Sequence, residues 1–144
     1  MGHFLKSGFG FVVCLLLAMT MASCDDEPGK WAEGKNEYDV MYYIQYSTIN
    51  PFHNMAHVSY TTPYGDTDYE LSGCDDVIVI HKVPKGFETK LSTFVKSAEA
   101  MPNTRATISI EVRRGDEDDY HEVASAEGDC PLADQQLEIS YVLP

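Results

Sequence analysis

Histidine and acidic residues are the side chains of this sequence that could ligate a metal ion. The five histidines have neither the H-x3-H nor the H-E-x-x-H spacing that zinc sites use; they are His3, His53, His57, His81 and His121. Acidic residues cluster where turns or strand ends are predicted, and calcium could use their oxygens; the clusters are Asp66 with Asp68, Asp75 with Asp76, and residues 116–119. None has EF-hand spacing, and acidic turns are usually only solvated. The sequence therefore predicts no metal and no other cofactor, with calcium in the acidic loops as the alternative.

Catalytic motifs are missing from the chain. It contains no G-x-S-x-G nucleophile turn, no phosphate-binding loop and no G-x-G-x-x-G fingerprint. The sequence therefore predicts a protein that is not an enzyme, although catalytic groups that only folding brings together leave no such motif. The net charge of −13 argues against a nucleic-acid partner, because affinity for phosphates depends on Lys and Arg. The same charge disfavours electrostatic adsorption to anionic lipid.

Aromatic residues are the candidates for ligand contact. The chain has nine tyrosines and one tryptophan, which are residue types that binding interfaces favour. Tyr42 and Tyr43 are neighbours in a predicted strand, so they must face opposite sides of it. Tyr43, together with Tyr64 in a predicted turn and Trp31 in the N-terminal segment, could form a binding surface. The alternative is that the tyrosines pack at sheet edges with the hydroxyl in water.

The first 23 residues have the plan of a secretory signal peptide. Lys6 is the only charged residue among them, and residues 11–19 form an unbroken apolar run. The small residues Ala22 and Ser23 follow, as at a cleavage site. A transmembrane helix needs about 20 apolar residues, so this run is too short to remain as one. The sequence predicts export, with residues 1–23 removed.

The stretch Met21-Ala22-Ser23-Cys24 resembles the lipobox of bacterial lipoproteins. In that family the cysteine sulfur is diacylated, the chain is cut just before the cysteine, and the new amino terminus is acylated. The resemblance implies that Cys24 is the mature N-terminus and the lipid attachment site. Acyl chains contribute ~0.8 kcal/mol for each buried methylene, so three of them would make anchoring effectively permanent. The alternative is an ordinary secretory signal that ends near a cysteine.

Residues 24–36 predict a flexible, solvated tether, because they are acidic, contain Pro and Gly and have no apolar period. The acidic cluster at 25–27 resembles the surface-export signal of Bacteroidetes lipoproteins. In enterobacteria, by contrast, an Asp immediately after the cysteine is associated with retention at the inner membrane. The first resemblance favours the outer membrane, facing outward, and the second keeps the inner membrane as the alternative.

Two cysteines, Cys74 and Cys130, stay in the folded body once Cys14 leaves with the signal peptide and Cys24 carries lipid. An envelope compartment permits disulfides. A bond between them would close a loop of about 57 residues and contribute ~4 kcal/mol in the chain-entropy model. The sequence predicts this disulfide, with two separate buried thiols as the alternative.

The hydrophobic pattern from Glu37 onward has a period of two, which is typical of strands with one buried face. It predicts strands over 38–46, 55–62, 67–71, 76–83, 105–113, 119–126 and 135–143. Residues 76–83 are apolar on both faces for four residues, which favours a central strand. Residues 87–98 fit a strand or a helix, and their Thr, Phe and Val content favours the strand. Short strands at this spacing, without a long helix, predict an all-β, antiparallel two-sheet sandwich of immunoglobulin-like type over residues 37–144.

The order of these segments also resembles a known family. A Tyr-rich strand precedes Ala56-His-Val-Ser-Tyr60-Thr-Thr and Gly65, an apolar strand at 77–83, and Ile108-Ser-Ile-Glu-Val112 before a Gly turn. This order is similar to the soluble domain of the mycobacterial small membrane protein (MmpS) accessory family. The resemblance implies an immunoglobulin-like sandwich and assistance to large transporters that export lipids or siderophores. The chain departs from that family in having a lipobox instead of a transmembrane helix, and in lacking a Pro-Trp pair in its central strand, which here reads His81-Lys-Val-Pro84.

These patterns predict a non-catalytic, lipid-anchored β-sandwich that acts as a binding or accessory module in the cell envelope. One alternative is an MmpS-like accessory subunit of a membrane transporter. Another is a surface module that binds glycan or protein. The expected partners are the membrane, through Cys24, and either an envelope transporter or a surface ligand.

Overall fold

Alternating apolar and polar residues form strands along most of the computed structural model, which describes residues 36–47, 56–97 and 103–144. The strands within these ranges are β1 (Glu37–Tyr46), β2 (Ala56–Thr62), β3 (Gly65–Leu71), β4 (Asp75–Pro84), β5 (Glu88–Val95), β6 (Arg105–Arg114), β7 (His121–Asp129) and β8 (Leu137–Val142). A single 3-10 turn, Ala133–Gln135, precedes β8. The predicted signal peptide, Cys24 and all of the tether except Asn36 lie outside the described residues.

The strands form two antiparallel four-stranded sheets that pack against each other, which confirms the predicted sandwich. The first sheet has the order β4-β1-β6-β7 and the second the order β3-β2-β5-β8. In immunoglobulin nomenclature the second sheet has the order C′-C-F-G, and the pair β1–β4 corresponds to B and E. The hairpin β6–β7 lies beside β1, where an immunoglobulin domain has strand A.

The inward-facing residues of both sheets form one hydrophobic core. Val40, Tyr42 and Ile44 of β1 are buried, and the residues between them face outward, as the period of two predicts. Buried residues from the other strands complete the core; they include Val58, Leu71, Leu91, Val95, Ala106, Ile108, Ile110 and Val112. The ambiguous stretch 87–98 contains a strand, β5, whose alternate residues from Thr89 to Val95 are buried.

Three tyrosines of β1 cross the core and hydrogen-bond to the second sheet or to the segment after it. Tyr38 Oη donates to the Pro144 carbonyl (2.9 Å), Tyr42 Oη donates to the Thr61 carbonyl (2.9 Å), and Tyr46 Oη lies 2.7 Å from Thr93 Oγ1. Burial raises the pKa of both Tyr42 and Tyr46 to about 12. Since a buried hydroxyl needs a partner, these bonds fix how the two sheets face each other.

The position of β4 corrects one prediction. This strand lies at the edge of the first sheet, not at its centre. The even-numbered residues Ile78 and Ile80 pack against the core, whereas Val77 and Val79 point outward and are 49% and 38% exposed. β4 is therefore apolar on both faces because its outer face is apolar and exposed, and not because the strand is buried between two layers.

The predicted disulfide is not present. The carbonyl of Cys74, just before β4, accepts a hydrogen bond from the Tyr46 amide (2.6 Å), and the amide of Cys130, just after β7, donates to the Thr104 carbonyl (2.8 Å). Cys74 thus lies at one edge of the first sheet and Cys130 at the other, with β1 and β6 between them. Three strand spacings of ~4.8 Å place them roughly 14 Å apart, whereas a disulfide requires Cα atoms within about 7 Å.

Candidate ligand-binding site

A polar groove of about 290 Å³ runs across the outer face of the second sheet. It forms because alternate residues of four neighbouring strands point away from the core. The lining residues are His57, Ser59, Tyr60 and Thr61 of β2, Asp66 and Asp68 of β3, Lys90, Ser92 and Phe94 of β5, and Gln136 and Glu138 at β8. We refer to this set as the polar groove.

The centre of the polar groove is one row of residues that lie directly opposite each other on all four strands. In order across the sheet they are Asp68, Ser59, Ser92 and Glu138. The two serines are small and form the floor, and the two carboxylates stand at its sides. Neither serine hydroxyl has a hydrogen-bond partner in the described part of the chain, so both are available to a ligand.

Two stacked rings border this row on one side. The His57 and Phe94 rings pack with centroids 4.9 Å apart at an interplanar angle of 31°. His57 Nε2 lies 3.4 Å from Asp68 Oδ1, and its Nδ1 lies 3.3 Å from Glu70 Oε1. The imidazole is therefore held from both nitrogens, and the ring pair gives the groove a fixed apolar surface.

Glu70 supports His57 from beside the polar groove. Its Oε1 also lies 2.8 Å from Lys96 Nζ. Burial acts to raise the pKa of Glu70, but hydrogen bonds from Lys96 and His57 outweigh it and hold this pKa below its ordinary value. Glu70 therefore stays ionised at neutral pH and holds the Lys96 ammonium and the His57 ring in place.

The chemistry of the polar groove suits a ligand that is rich in hydroxyl groups and has no negative charge. Asp66, Asp68 and Glu138 outnumber the Lys90 ammonium, and the whole chain is strongly acidic, so anions are repelled. Carboxylates accept hydrogen bonds from ligand hydroxyls, and the serine hydroxyls both donate and accept. The Phe94 ring can pack against the C–H face of a sugar ring.

A second polar cluster lies on the outer face of the first sheet and has a structural explanation. Asp39 of β1 accepts from Arg113 Nη2 (2.5 Å) and lies 3.0 Å from His81 Nδ1. The Arg113 guanidinium lies over the Tyr120 ring, 4.9 Å from its centroid. Opposite Asp39, β4 has a bulge in which Lys82 adopts a positive φ of 58°. Internal partners thus occupy the charged groups of this cluster, which ties β1, β4 and β6 together.

Asp39 is expected to make stability depend on acidic pH. Burial acts to raise the pKa of Asp39, but the hydrogen bonds from Arg113 and His81 lower it by more than burial raises it. The folded pKa therefore lies below the ordinary 3.8. A carboxylate with a depressed folded pKa stabilises the fold above the unfolded pKa of about 4, and this contribution is lost as pH falls through the folded value. We expect Asp39→Asn to cost about 1–2 kcal/mol at pH 7 and to cost little at pH 2.

Thermal melts of the wild type and Asp39→Asn between pH 2 and pH 7 measure this difference. Asp129→Asn is the matched control, because Asp129 is an exposed carboxylate on the same sheet; its curve should stay parallel to the wild type. A gap between the wild type and Asp39→Asn that is constant over the whole pH range would contradict the assignment.

Of the three predicted contact residues, the two that the structure describes lie on different sheets. Tyr43 is half-buried on the outer face of the first sheet, Tyr64 is 98% exposed on the β2–β3 turn of the second sheet, and Trp31 lies outside the described residues. The polar groove was not among the predictions from the sequence. Its signal was the alternation of His57, Ser59 and Thr61 with buried residues, but only the strand pairing shows that Ser92 and Glu138 join them.

Within residues 36–47, 56–97 and 103–144, no three His, Cys, Asp or Glu side chains come together as a metal site. None of the helices in this part of the chain has the length and apolar character needed to cross a membrane.

In comparisons with known proteins, the chain matches no family model, no curated protein and no solved structure. The resemblances to bacterial lipoproteins and to the MmpS family therefore remain predictions from the sequence.

Proposed function

We propose that this chain is a non-catalytic binding module, held on a bacterial cell envelope by lipid on Cys24, and that the polar groove binds a neutral, hydroxyl-rich ligand of the oligosaccharide class. The observation that carries the proposal is the row of two serines between two carboxylates, Asp68 and Glu138, beside the stacked His57 and Phe94 rings. The small floor leaves space for a ligand, and the flanking groups supply hydrogen bonds and one apolar surface.

The sequence supports the envelope location. The lipobox-like stretch ending at Cys24 and the acidic tether behind it resemble those of exported lipoproteins and favour the outward face of the outer membrane, with the inner membrane as the alternative. A binding module in that position would meet polysaccharides outside the cell. The transporter-accessory role that the MmpS resemblance implies stays a second prediction, because no feature of the described residues favours it specifically.

Filling the floor of the polar groove is expected to abolish binding. Ser92→Phe places a large ring between Asp68 and Glu138, and we expect affinity to fall by more than about tenfold. Phe94→Ala removes one ring of the stacked pair, and we expect a loss of about three- to tenfold, corresponding to about 0.5–1.5 kcal/mol. The full chain, purified in detergent, can be applied to an array of neutral oligosaccharides to find a ligand and to compare the variants.

Tyr64→Ala is the matched control, since Tyr64 is an exposed aromatic residue of the same sheet outside the polar groove. This variant should bind as the wild type does. If the wild type binds no neutral oligosaccharide, or if Ser92→Phe binds as well as the wild type, the proposed function is wrong.

A further inference from the structure

The four edge strands of the sandwich differ in how they are protected. An exposed edge offers unpaired backbone groups to another chain, and proteins commonly block it with outward-facing charges. β3, β7 and β8 carry such charges on their outer faces; they are Asp66, Asp68 and Glu70 on β3, Glu127 and Asp129 on β7, and Glu138 on β8. β4 carries charged residues only near its ends, and Val77 and Val79 at its centre are both exposed.

The backbone of β4 is also oriented for pairing. The bond from the Tyr46 amide to the Cys74 carbonyl fixes the alternation of the antiparallel ladder, so the even-numbered residues of β4 bond to β1. The backbone groups of Val77 and Val79 therefore point away from β1, toward an edge that no described strand covers. Of the backbone amides and carbonyls of Val77 and Val79, only the Val77 amide already has a described partner: it donates to Asp76 Oδ1 (2.8 Å).

We propose that β4 pairs antiparallel with β4 of a second copy of this chain, about a twofold axis at Ile78. A twofold axis normal to the sheet gives both copies the same outer face. A residue of one copy whose side chain points outward therefore lies opposite a residue of the other copy whose side chain also points outward. With Ile78 at the axis, Val77 lies opposite Val79 of the second copy, and Asp75 lies opposite His81 of the second copy.

The distribution of charge along β4 favours a second copy in this orientation. The strand begins with Asp75 and reaches Lys82 near its other end, with the four apolar residues Val77–Ile80 in the centre. Asp76 and His81 already have partners within the chain, at the Tyr69 hydroxyl and at Asp39. Antiparallel pairing places each acidic end beside the basic end of the other copy, whereas parallel pairing would place like charges together. This self-complementarity selects a copy of the same chain over an unrelated strand.

Apolar contact adds to the backbone pairing. Val77 and Val79 lie opposite Tyr43 and Met41 of β1 on the same outer face. Pairing would join this patch to its symmetry mate and cover part of both valines. The bulge at Lys82 ends the regular edge, so the contact is short and suits copies that are concentrated on one membrane surface.

Photo-cross-linking of the full chain in living cells tests the proposal. A benzophenone amino acid in place of Val77 should give, after illumination, a band of doubled mass that contains only this chain. Adding Val79→Lys should reduce the band by about tenfold, because it places a charge against the apolar centre of the second strand. Adding Asp75→Lys should also reduce it, because it removes the acidic end of the strand and puts a second cation near Lys82 of the second copy.

Val142 supplies the control, since it is a 57% exposed valine on a different edge strand, β8. The benzophenone residue at position 142 should give no doubled band, and Val142→Lys should leave the band from position 77 unchanged. Thermal melts establish that the variants fold. No doubled band from position 77, a band that persists with folded Val79→Lys, or a cross-link to a different protein would each overturn the proposal.

Discussion

Replacing Tyr42 with alanine is expected to lower the free energy of unfolding by about 3–5 kcal/mol, the usual cost of removing a large aromatic residue from a core. Tyr42 is 1% exposed and packs against Tyr60 with ring centroids 5.5 Å apart. Its hydroxyl donates to the Thr61 carbonyl, so the substitution removes both core volume and a bond between the sheets. Equilibrium urea unfolding followed by circular dichroism measures the loss.

Two variants of the same strand give this prediction its controls. Tyr42→Phe keeps the ring and removes only the hydroxyl, and we expect a cost of about 1 kcal/mol. Tyr43→Ala changes the next residue, which faces outward, and we expect less than about 1 kcal/mol. Equal losses for Tyr42→Ala and Tyr43→Ala would contradict the register of β1, because a slip of one residue would exchange their faces.

The inner face of β1 could be predicted from the sequence because burial on one side of a strand imposes a period of two. Tyr42 and Tyr43 are neighbours of the same type, and the period alone assigns one to the core and the other to the outer face. The same rule applies to β2, where His57 lies on the outer face between the buried Ala56 and Val58. Local periodicity therefore determined which residues are buried over most of the sandwich.

Pairing between distant strands could not be predicted in this way. The pattern of Val77–Ile80 is the same for a central strand and for an edge strand with an apolar outer face, because periodicity does not count neighbours. The row that contains Ser59 and Ser92 depends on the register between β2 and β5, which no local pattern specifies. The predicted Cys74–Cys130 bond was wrong for the same reason, since the order of strands in the first sheet separates the two residues.

Replacing Cys24 with serine is expected to release the protein from membranes. The lipobox resemblance assigns diacylation to the cysteine thiol, and a serine hydroxyl does not accept the diacylglycerol. With the lipid chains absent, the acidic body has no attraction to anionic lipid, so we expect the membrane-bound fraction after a carbonate wash to fall by more than about tenfold. Cell fractionation with quantitative immunoblotting measures it.

Cys14→Ser provides the matched control, because Cys14 lies within the predicted signal peptide and carries no lipid in this account. It should leave the membrane-bound fraction unchanged. Retention of Cys24→Ser in the washed membranes at the wild-type level would show that the anchor is not the predicted lipid.

Mapping the bound ligand on the full chain tests the central claim, that the outer face of the second sheet is the binding surface. Hydrogen exchange measured by mass spectrometry, with and without the best-binding neutral oligosaccharide, reports which strands become protected. We expect added protection of β2 and β5 around Ser59 and Ser92, with the segment around Tyr43 unchanged. Protection confined to the outer face of the first sheet around Tyr43, with none on β2 or β5, would contradict it.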